Sequence, residues 1–513
     1  MIDRLFSRRE DAQFGTYNHG NAIIEASFST AATELVRSRQ QANPHDRAPD
    51  ERMLLEISAL MHERLHYLQT YGTLAGMGVL SARVLALRRF INCSMALVME
   101  DRHWQLPLSG WVASGTAPDP VRKLLRFARA VRAGSDVFLA PFKPFSHPDH
   151  LPDAWVNIEF ASVTPEGVPT KTTVPAFPMA VAFVSREGAM RPMSVIQPLG
   201  YEALIEGIAH GATRTAVGIL FPGLDEGTLQ HFGPPKVFTD EELNDPDMVA
   251  QRYEIYTATD LMISKYLRSR GIRTFPRKLV FMLSDIALSL ACFAIEDVDD
   301  RNTRVEIHNP GNVLIGVLES CSDAQLASGE VPYPAEVQAA YKSLHAALSS
   351  APPNDFGSAA MDFYAADRVW EEFVVRKIQI PLLARRIESE NALFYEESDM
   401  IQAAYELDLP RVEIVNGRLA FHGMPEEIQA AWAQQLFAGE IAQQVFADST
   451  LLRCPKAHQL VAGLEHMDFC RGECRANMKL GCGTFVPGQA NFSPSCLFSH
   501  AVDRLGFSGA LRS

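Results

Sequence analysis

Residues 57–73 read ISALMHERLHYLQTYGT, and the rest of the chain is best interpreted outward from them. The stretch contains His62-Glu63-Arg64-Leu65-His66, an H-E-x-x-H. Its surroundings, DERMLLEISALMHERLHYLQTYG, carry a helical period: Met53, Leu54, Ile57, Leu60, Met61, Leu65 and Leu68 share one apolar arc. At about 100° per residue, His62 and His66 stand one turn apart on the opposite side. Both imidazoles can then reach one ion, with Glu63 beside the pair and free to take a proton from water. Zinc chemistry needs two nitrogens on the ion and a carboxylate base next to it. The plainer reading is a half-buried helix with two surface histidines. A carboxylate di-iron site, which would need a second Glu-x-x-His on a facing helix, is the weaker alternative.

A catalytic zinc site needs a third protein ligand. The best source is YEALIEGIAHGATRT, residues 201–215. Glu202, Glu206 and His210 lie four apart and line one helix face, while Leu204, Ile205, Ile208 and Ala212 take the other. Ala203 and Gly207 flank the acidic stripe and admit a second helix at close range. As a lone helix this would be a solvated acidic face. Beside an H-E-x-x-H it becomes a ligand helix, with Glu206 or Glu202 as ligand and His210 as a transition-state donor or a support to the ligands. Tyr67, Tyr253 and Tyr256 are further candidate donors.

HERLHYLQTYGT followed by a helix bearing EGIA resembles the gluzincin metallopeptidases. In that family the H-E-x-x-H helix supplies two ligands and a Glu on a later helix supplies the third. The resemblance implies a zinc site of His62, His66 and Glu206, with Glu63 as general base. It rests on two short segments and departs from the family in three ways. Arg64 places a charge between the histidines, pointing away from the metal side, where it has to snorkel or pair. The 139 residues between His66 and Glu206 exceed the usual insertion. Strand-like sequence mostly follows the metal helix here, whereas the family's sheet precedes it.

Five of the eight cysteines, Cys454, Cys470, Cys474, Cys482 and Cys496, fall in a C-terminal tail rich in Gly, Asn and Ser. Clustered thiols in a reducing compartment suggest a metal site more than disulfides. Four of these thiolates could hold a structural zinc, or the set an iron–sulfur cluster. Such a site would lock the C-terminus or present a surface to a protein partner. Cys93, Cys292 and Cys321 sit in apolar surroundings and read as small core residues.

With 513 residues the chain is too long for a single ordinary core. The expected division is a zincin-like metallohydrolase domain over 1–350, a helical domain over 351–450 and the cysteine-rich tail over 451–513, with SSAPPNDFGS as the main boundary. The expected class is α+β, mainly helical. Helices are expected over 50–100, at VRKLLRFARAVRA, over 201–220, over most of 250–350 and over 358–396. A sheet of two to four strands is expected between 155 and 197, and a hairpin at VEIVNGRLAF turning on Asn416-Gly417. Residues 221–248 read as a long loop that could restrict access to the site.

A net charge of −14 argues against nucleic acid or an anionic membrane as partner. The longest apolar run, residues 279–295, carries Asp285 and reads as a buried core helix rather than a membrane span. The first residues lack an apolar signal region, so the expected location is the cytoplasm. The expected activity is a zinc-dependent hydrolase acting on a peptide or protein. The competing readings are a non-catalytic scaffold or regulatory protein that keeps a zincin-like fold, and a redox or metal sensor run by the cysteine cluster.

Overall fold

Gly72 and Thr73 divide what the sequence presents as one helical region into two helices. In the computed structural model α1 spans Glu51–Gly72 and α2 spans Leu74–Met99. Thr73 leaves the helical conformation, and its hydroxyl caps the second helix by accepting from the Gly76 amide at 3.0 Å. The turn is tight because residue 76 is glycine. A Cβ there would come within 2.4 Å of the Gln69 carbonyl oxygen, so no other residue would let α2 fold back so closely on the end of α1.

The structure describes residues 15–18, 23–26, 51–140, 155–163, 169–184, 190–221, 246–299, 302–352, 363–389, 409–415, 418–450, 452–453, 484–485 and 497–507. Strands β1 (Gly15–Asn18) and β2 (Ile23–Ala26) precede α1 and α2. Next come α3 (Leu108–Ala113), α4 (Asp119–Leu139) and a three-stranded sheet of β3 (Val156–Val163), β4 (Pro169–Val184) and β5 (Met190–Pro198). Helices α5 (Tyr201–Leu220), α6 (Pro246–Ser269) and α7 (Lys278–Leu290) lead into the hairpin β6 (Cys292–Asp299) and β7 (Asn302–His308). Then follow α8 (Pro310–Ser320), α9 (Asp323–Ser328), α10 (Ala335–Ser350), α11 (Phe363–Val374), a π-helical turn at Val375–Gln379 and α12 (Ile380–Glu388). The described chain closes with β8 (Arg411–Val415), β9 (Arg418–His422), α13 (Glu426–Phe446), β10 (Leu452–Arg453), β11 (Thr484–Phe485) and α14 (Leu497–Arg504). The protein is α+β and mainly helical, with small sheets.

The sheet expected between 155 and 197 is present. β4 pairs antiparallel with both neighbours, in register Val156↔Ala176 and Ala176↔Pro198. The sheet's inward residues Ile158, Phe160, Val174, Ala176 and Ile196 pack on Val137 and Ala140 at the end of α4. The hairpin expected at VEIVNGRLAF is also present, with Val415 opposite Arg418 and two residues between them, the spacing an Asn-Gly turn provides. The turn residues 416 and 417 lie outside the described residues.

Two strand regions differ from the sequence reading. Residues 292–308, expected within a helical stretch, form the β6–β7 hairpin; Phe293, Ile295, Val305 and Ile307 alternate along it and pack against the main core. The apolar run at 279–295 is therefore a buried helix only as far as Leu290. The four-stranded sheet runs β1-β2-β8-β9, and β2 joins β8 in parallel, Ile23 opposite Val412. Elements near opposite ends of the sequence thus share one sheet, and β1 and β2 lie against α1.

The expected helix over 358–396 is described from Phe363 to Glu388 and carries a π turn in its middle. Pro381 follows that turn. Its ring would crowd the carbonyl one turn back, and it has no N–H to donate, so a widened turn relieves both conflicts.

One hydrophobic cluster runs from Ile24 to Phe507 and includes residues on both sides of position 350, among them Leu65, Leu204, Leu283, Trp370 and Trp432. Buried polar contacts fasten its outer helices. Arg386 on α12 is fully buried, donates to both oxygens of Asp285 on α7 at 2.6 and 3.1 Å, and lies over the Tyr341 ring. At the C-terminal end Trp104 stacks on Phe507, ring centroids 5.2 Å apart, and its indole N–H donates to the Leu505 carbonyl. Among the described residues, no helix is long and apolar enough to cross a membrane.

Candidate metal centre

Helix α1 is buried far more fully than an amphipathic surface helix. From Leu60 to Thr73 every residue except His62 is buried, including Glu63, Arg64, His66, Gln69 and Thr70. A core helix with that many polar groups must satisfy each of them internally, because water cannot. Their partners define the site.

Helix α5 lies across α1. It reaches its position through small residues, as the sequence suggests. A Cβ at Gly207 would stand 3.2 Å from Thr259 Cβ on α6, and the Thr259 hydroxyl donates to the Ala203 carbonyl at 3.0 Å. A Cβ at Gly211 would stand 2.4 Å from the Phe281 ring of α7. With α6 and α7 against these glycines, the Glu206 side of α5 faces α1.

Three donor atoms meet there. His62 Nε2 lies 2.9 Å from Glu206 Oε2, and His66 Nε2 lies 3.1 Å from the same oxygen. The two Nε2 atoms are 2.9 Å apart. A tetrahedral zinc with bonds of about 2.0–2.1 Å would set its donors about 3.3 Å apart, so a few tenths of an ångström of opening would admit an ion. Two imidazole nitrogens and a carboxylate oxygen form a donor set well suited to zinc. His62, His66 and Glu206 could therefore hold a metal ion. The His62 side chain is 14% exposed, against 5% for His66 and 7% for Glu206, so the group opens to solvent on the His62 side.

Hydrogen-bond logic also favours a cation at this point. Gln69, one turn beyond His66, donates its amide N–H to the Ile205 carbonyl at 3.0 Å, which leaves its oxygen to face His66 Nδ1 at 3.0 Å. That oxygen can only accept, so Nδ1 carries the proton and the Nε2 lone pair of neutral His66 faces Glu206. Burial pulls the His66 pKa down, but the charge of Glu206 and its hydrogen bond outweigh this and hold it above its usual value. A positive charge is stabilised at that point.

The other residues singled out in the sequence fall as follows. Glu63 is buried on α1, and its charge acts on His66. Glu202 is one turn before Glu206 and is not part of the converging group. His210 is one turn after Glu206; burial, with the positive charges of His62, Arg214 and Arg277, pushes its pKa down to about 3. It is a neutral imidazole at neutral pH, able to donate from one nitrogen. Tyr67 is not placed to serve as a donor at the site: it is fully buried and its hydroxyl donates to the Pro410 carbonyl. The side chains of Tyr253 and Tyr256, and the tail cysteines Cys454, Cys470, Cys474, Cys482 and Cys496, lie outside the described residues, as does the loop over 222–245.

Arg64 pairs rather than snorkels. On the far side of α1 its Nε donates to Glu413 Oε1 of β8 at 3.0 Å, and a terminal nitrogen lies 2.9 Å from the same oxygen. Arg411 donates to that oxygen at 2.8 Å, and His422 Nε2 lies 3.0 Å from Oε2. The charge within the motif therefore fastens the ligand helix to the β8–β9 hairpin. Sequence reasoning passed over Gln69 and Glu413. The signal for Gln69 was present, since a glutamine three residues after the second histidine is on its face.

No protein-family model matches the chain, nor does any curated protein or solved structure.

Proposed function

We propose that the chain is a zinc-dependent hydrolase, a metallopeptidase of gluzincin type, in which His62, His66 and Glu206 hold the ion and Glu63 is the general base. The observation that carries this reading is the meeting of three ligand atoms within about 3 Å of one another, from two helices, at a point open to solvent on one side. A zinc ion held there supplies Lewis-acid polarisation of a carbonyl and makes water a competent nucleophile near neutral pH. Glu63 takes a proton from the attacking water and passes it to the leaving amine, so the carboxylate is regenerated each turnover. His210, neutral at the operating pH, donates a hydrogen bond to the oxygen that gains charge.

The scaffold reading would be favoured had the three ligands failed to converge, or if a bulky side chain filled the open coordination position; among the described residues the three ligands converge. The substrate class proposed is a peptide or protein bond. Metal analysis of the purified chain, followed by a peptide-library digest, tests the proposal. One zinc per chain is expected, lost in His62→Ala and in Glu206→Gln, with cleavage dependent on it. A chain that neither retains zinc nor takes it up when offered would end the metallopeptidase reading. Full zinc occupancy without cleavage of any peptide would favour the scaffold.

A further inference from the structure

Gln69 makes two contacts that together bear on how the site is assembled. Its oxygen faces His66 Nδ1 at 3.0 Å and its nitrogen donates to the Ile205 carbonyl at 3.0 Å. The residue is fully buried, so no water competes for either bond. The amide cannot be turned over without cost, because reversal would put its oxygen against the Ile205 carbonyl oxygen. Ile205 directly precedes Glu206 in the chain. One side chain therefore fixes the ring of one ligand and the backbone next to another, on two different helices.

We propose that Gln69 is the positioning residue that commits His66 to bind metal through Nε2 and couples that choice to the placement of Glu206. The inference rests on the metal-site reading above. An imidazole ligates through the nitrogen that lacks a proton, and which nitrogen that is depends on what the other one meets. The Nδ1 of His66 meets an oxygen that can only accept. Its Nε2 is thereby left with a free electron pair, 3.1 Å from Glu206 Oε2 and 2.9 Å from His62 Nε2. A leucine at 69 would keep much of the volume and lose both bonds. A glutamate would keep the acceptor for Nδ1–H and lose the donor to Ile205. The two variants separate ligand positioning from helix packing.

The first measurement uses the metal-free full chain with 15N-labelled histidine, above the pH at which His66 titrates, with His66→Ala to assign the signal. His66 is expected to carry its proton on Nδ1; a dominant Nε2–H form would overturn the proposal. The second is zinc affinity by chelator competition. Gln69→Leu is expected to weaken zinc by about 10–100-fold, as loss of such a supporting bond does. Gln69→Glu is expected to stay within a few-fold of the parent, even though its unfolding midpoint falls. Equal weakening in both variants would reduce Gln69 to a packing residue, and unchanged affinity in Gln69→Leu would remove it from the site. If the parent chain binds no zinc, the metallopeptidase reading fails, while the histidine spectrum still decides whether Gln69 sets the tautomer.

Discussion

Replacing Glu413 by glutamine removes one negative charge from behind the ligand helix and leaves the shape nearly unchanged. In the parent chain the Glu413 side chain is 6% exposed and faces Arg64, 7% exposed, and Arg411, 11% exposed, with His422 on its other oxygen. Two guanidinium groups share one carboxylate oxygen at 2.8–3.0 Å. Removing one partner of a buried ion pair costs about 3–5 kcal/mol, because the remaining charge stays buried without compensation. Glu413→Gln should therefore lower the folding equilibrium by a factor of about 10²–10⁴, read as a fall in the urea midpoint at neutral pH. Adding Arg64→Met should restore part of the loss, so the double variant costs less than the sum of the singles. The acid dependence follows from the same contacts. Burial raises the Glu413 pKa, but the close contact with His422, the charges of Arg64 and Arg411 and the Arg411 hydrogen bond outweigh it and hold the group far below its ordinary 4.5. The folded value lies below the unfolded one, so this contribution is complete above about pH 4.5 and is lost as pH falls toward the folded value. The parent should lose stability through that range with a steeper slope than Glu413→Gln. A cost under about 1 kcal/mol, the range of exposed pairs, or parallel acid slopes in the two chains, would refute the reasoning.

Glu63→Gln should keep one zinc per chain by metal analysis and lose about 10²–10⁴-fold in peptide hydrolysis, the usual worth of a positioned general base; loss of zinc would make Glu63 part of the ligand set. Gly211→Ala should destabilise by about 1–3 kcal/mol in urea unfolding, because the new methyl would sit 2.4 Å from the Phe281 ring. Gly207→Ala, whose methyl would meet Thr259 Cβ at 3.2 Å, should cost clearly less; the reverse order would count against the helix packing described. Asp285→Asn leaves the fully buried Arg386 without its counter-charge and should cost about 3–5 kcal/mol, with Tyr333 losing a carboxylate partner as well. Near-neutrality there would mean that water reaches Arg386.

Part of the candidate metal group was legible because helical geometry is local, while the choice of Glu206 over Glu202 came only from the gluzincin resemblance. Spacing alone places His62 over His66 and Glu206 over His210, and the small residues Ala203 and Gly207 announce the face that takes a neighbour. What was not legible depended on partners far away in sequence. Arg64 reads as a misfit within H-E-x-x-H until Glu413, 349 positions later, is beside it. The burial of α1 beyond its apolar arc follows from the same cause, since β1 and β2 lie against it and Arg64 meets Glu413 of β8. Strand β2 is four residues long and pairs in parallel with β8, which no local alternation reveals. Tyr67 looked available as a donor for the same reason, as Pro410 stands 343 positions away. The β6–β7 hairpin was hidden by an apolar run that serves first as helix and then as strand.

The link from Arg64 to Glu413 also sets an order of events during synthesis. At about 5–20 residues per second, a ribosome adds the 349 residues between them in about 20–70 s. Throughout that interval the nascent ligand helix has both histidines but lacks the carboxylate that neutralises Arg64 and the strand that covers its back. Glu206 emerges early enough to meet the histidines, yet Arg64 on the helix that presents them gains its counter-charge only when β8 arrives. Contacts of such long sequence separation form late and slowly. A product truncated before residue 411 would therefore carry all three donor residues, on α1 and α5, with Arg64 left without Glu413.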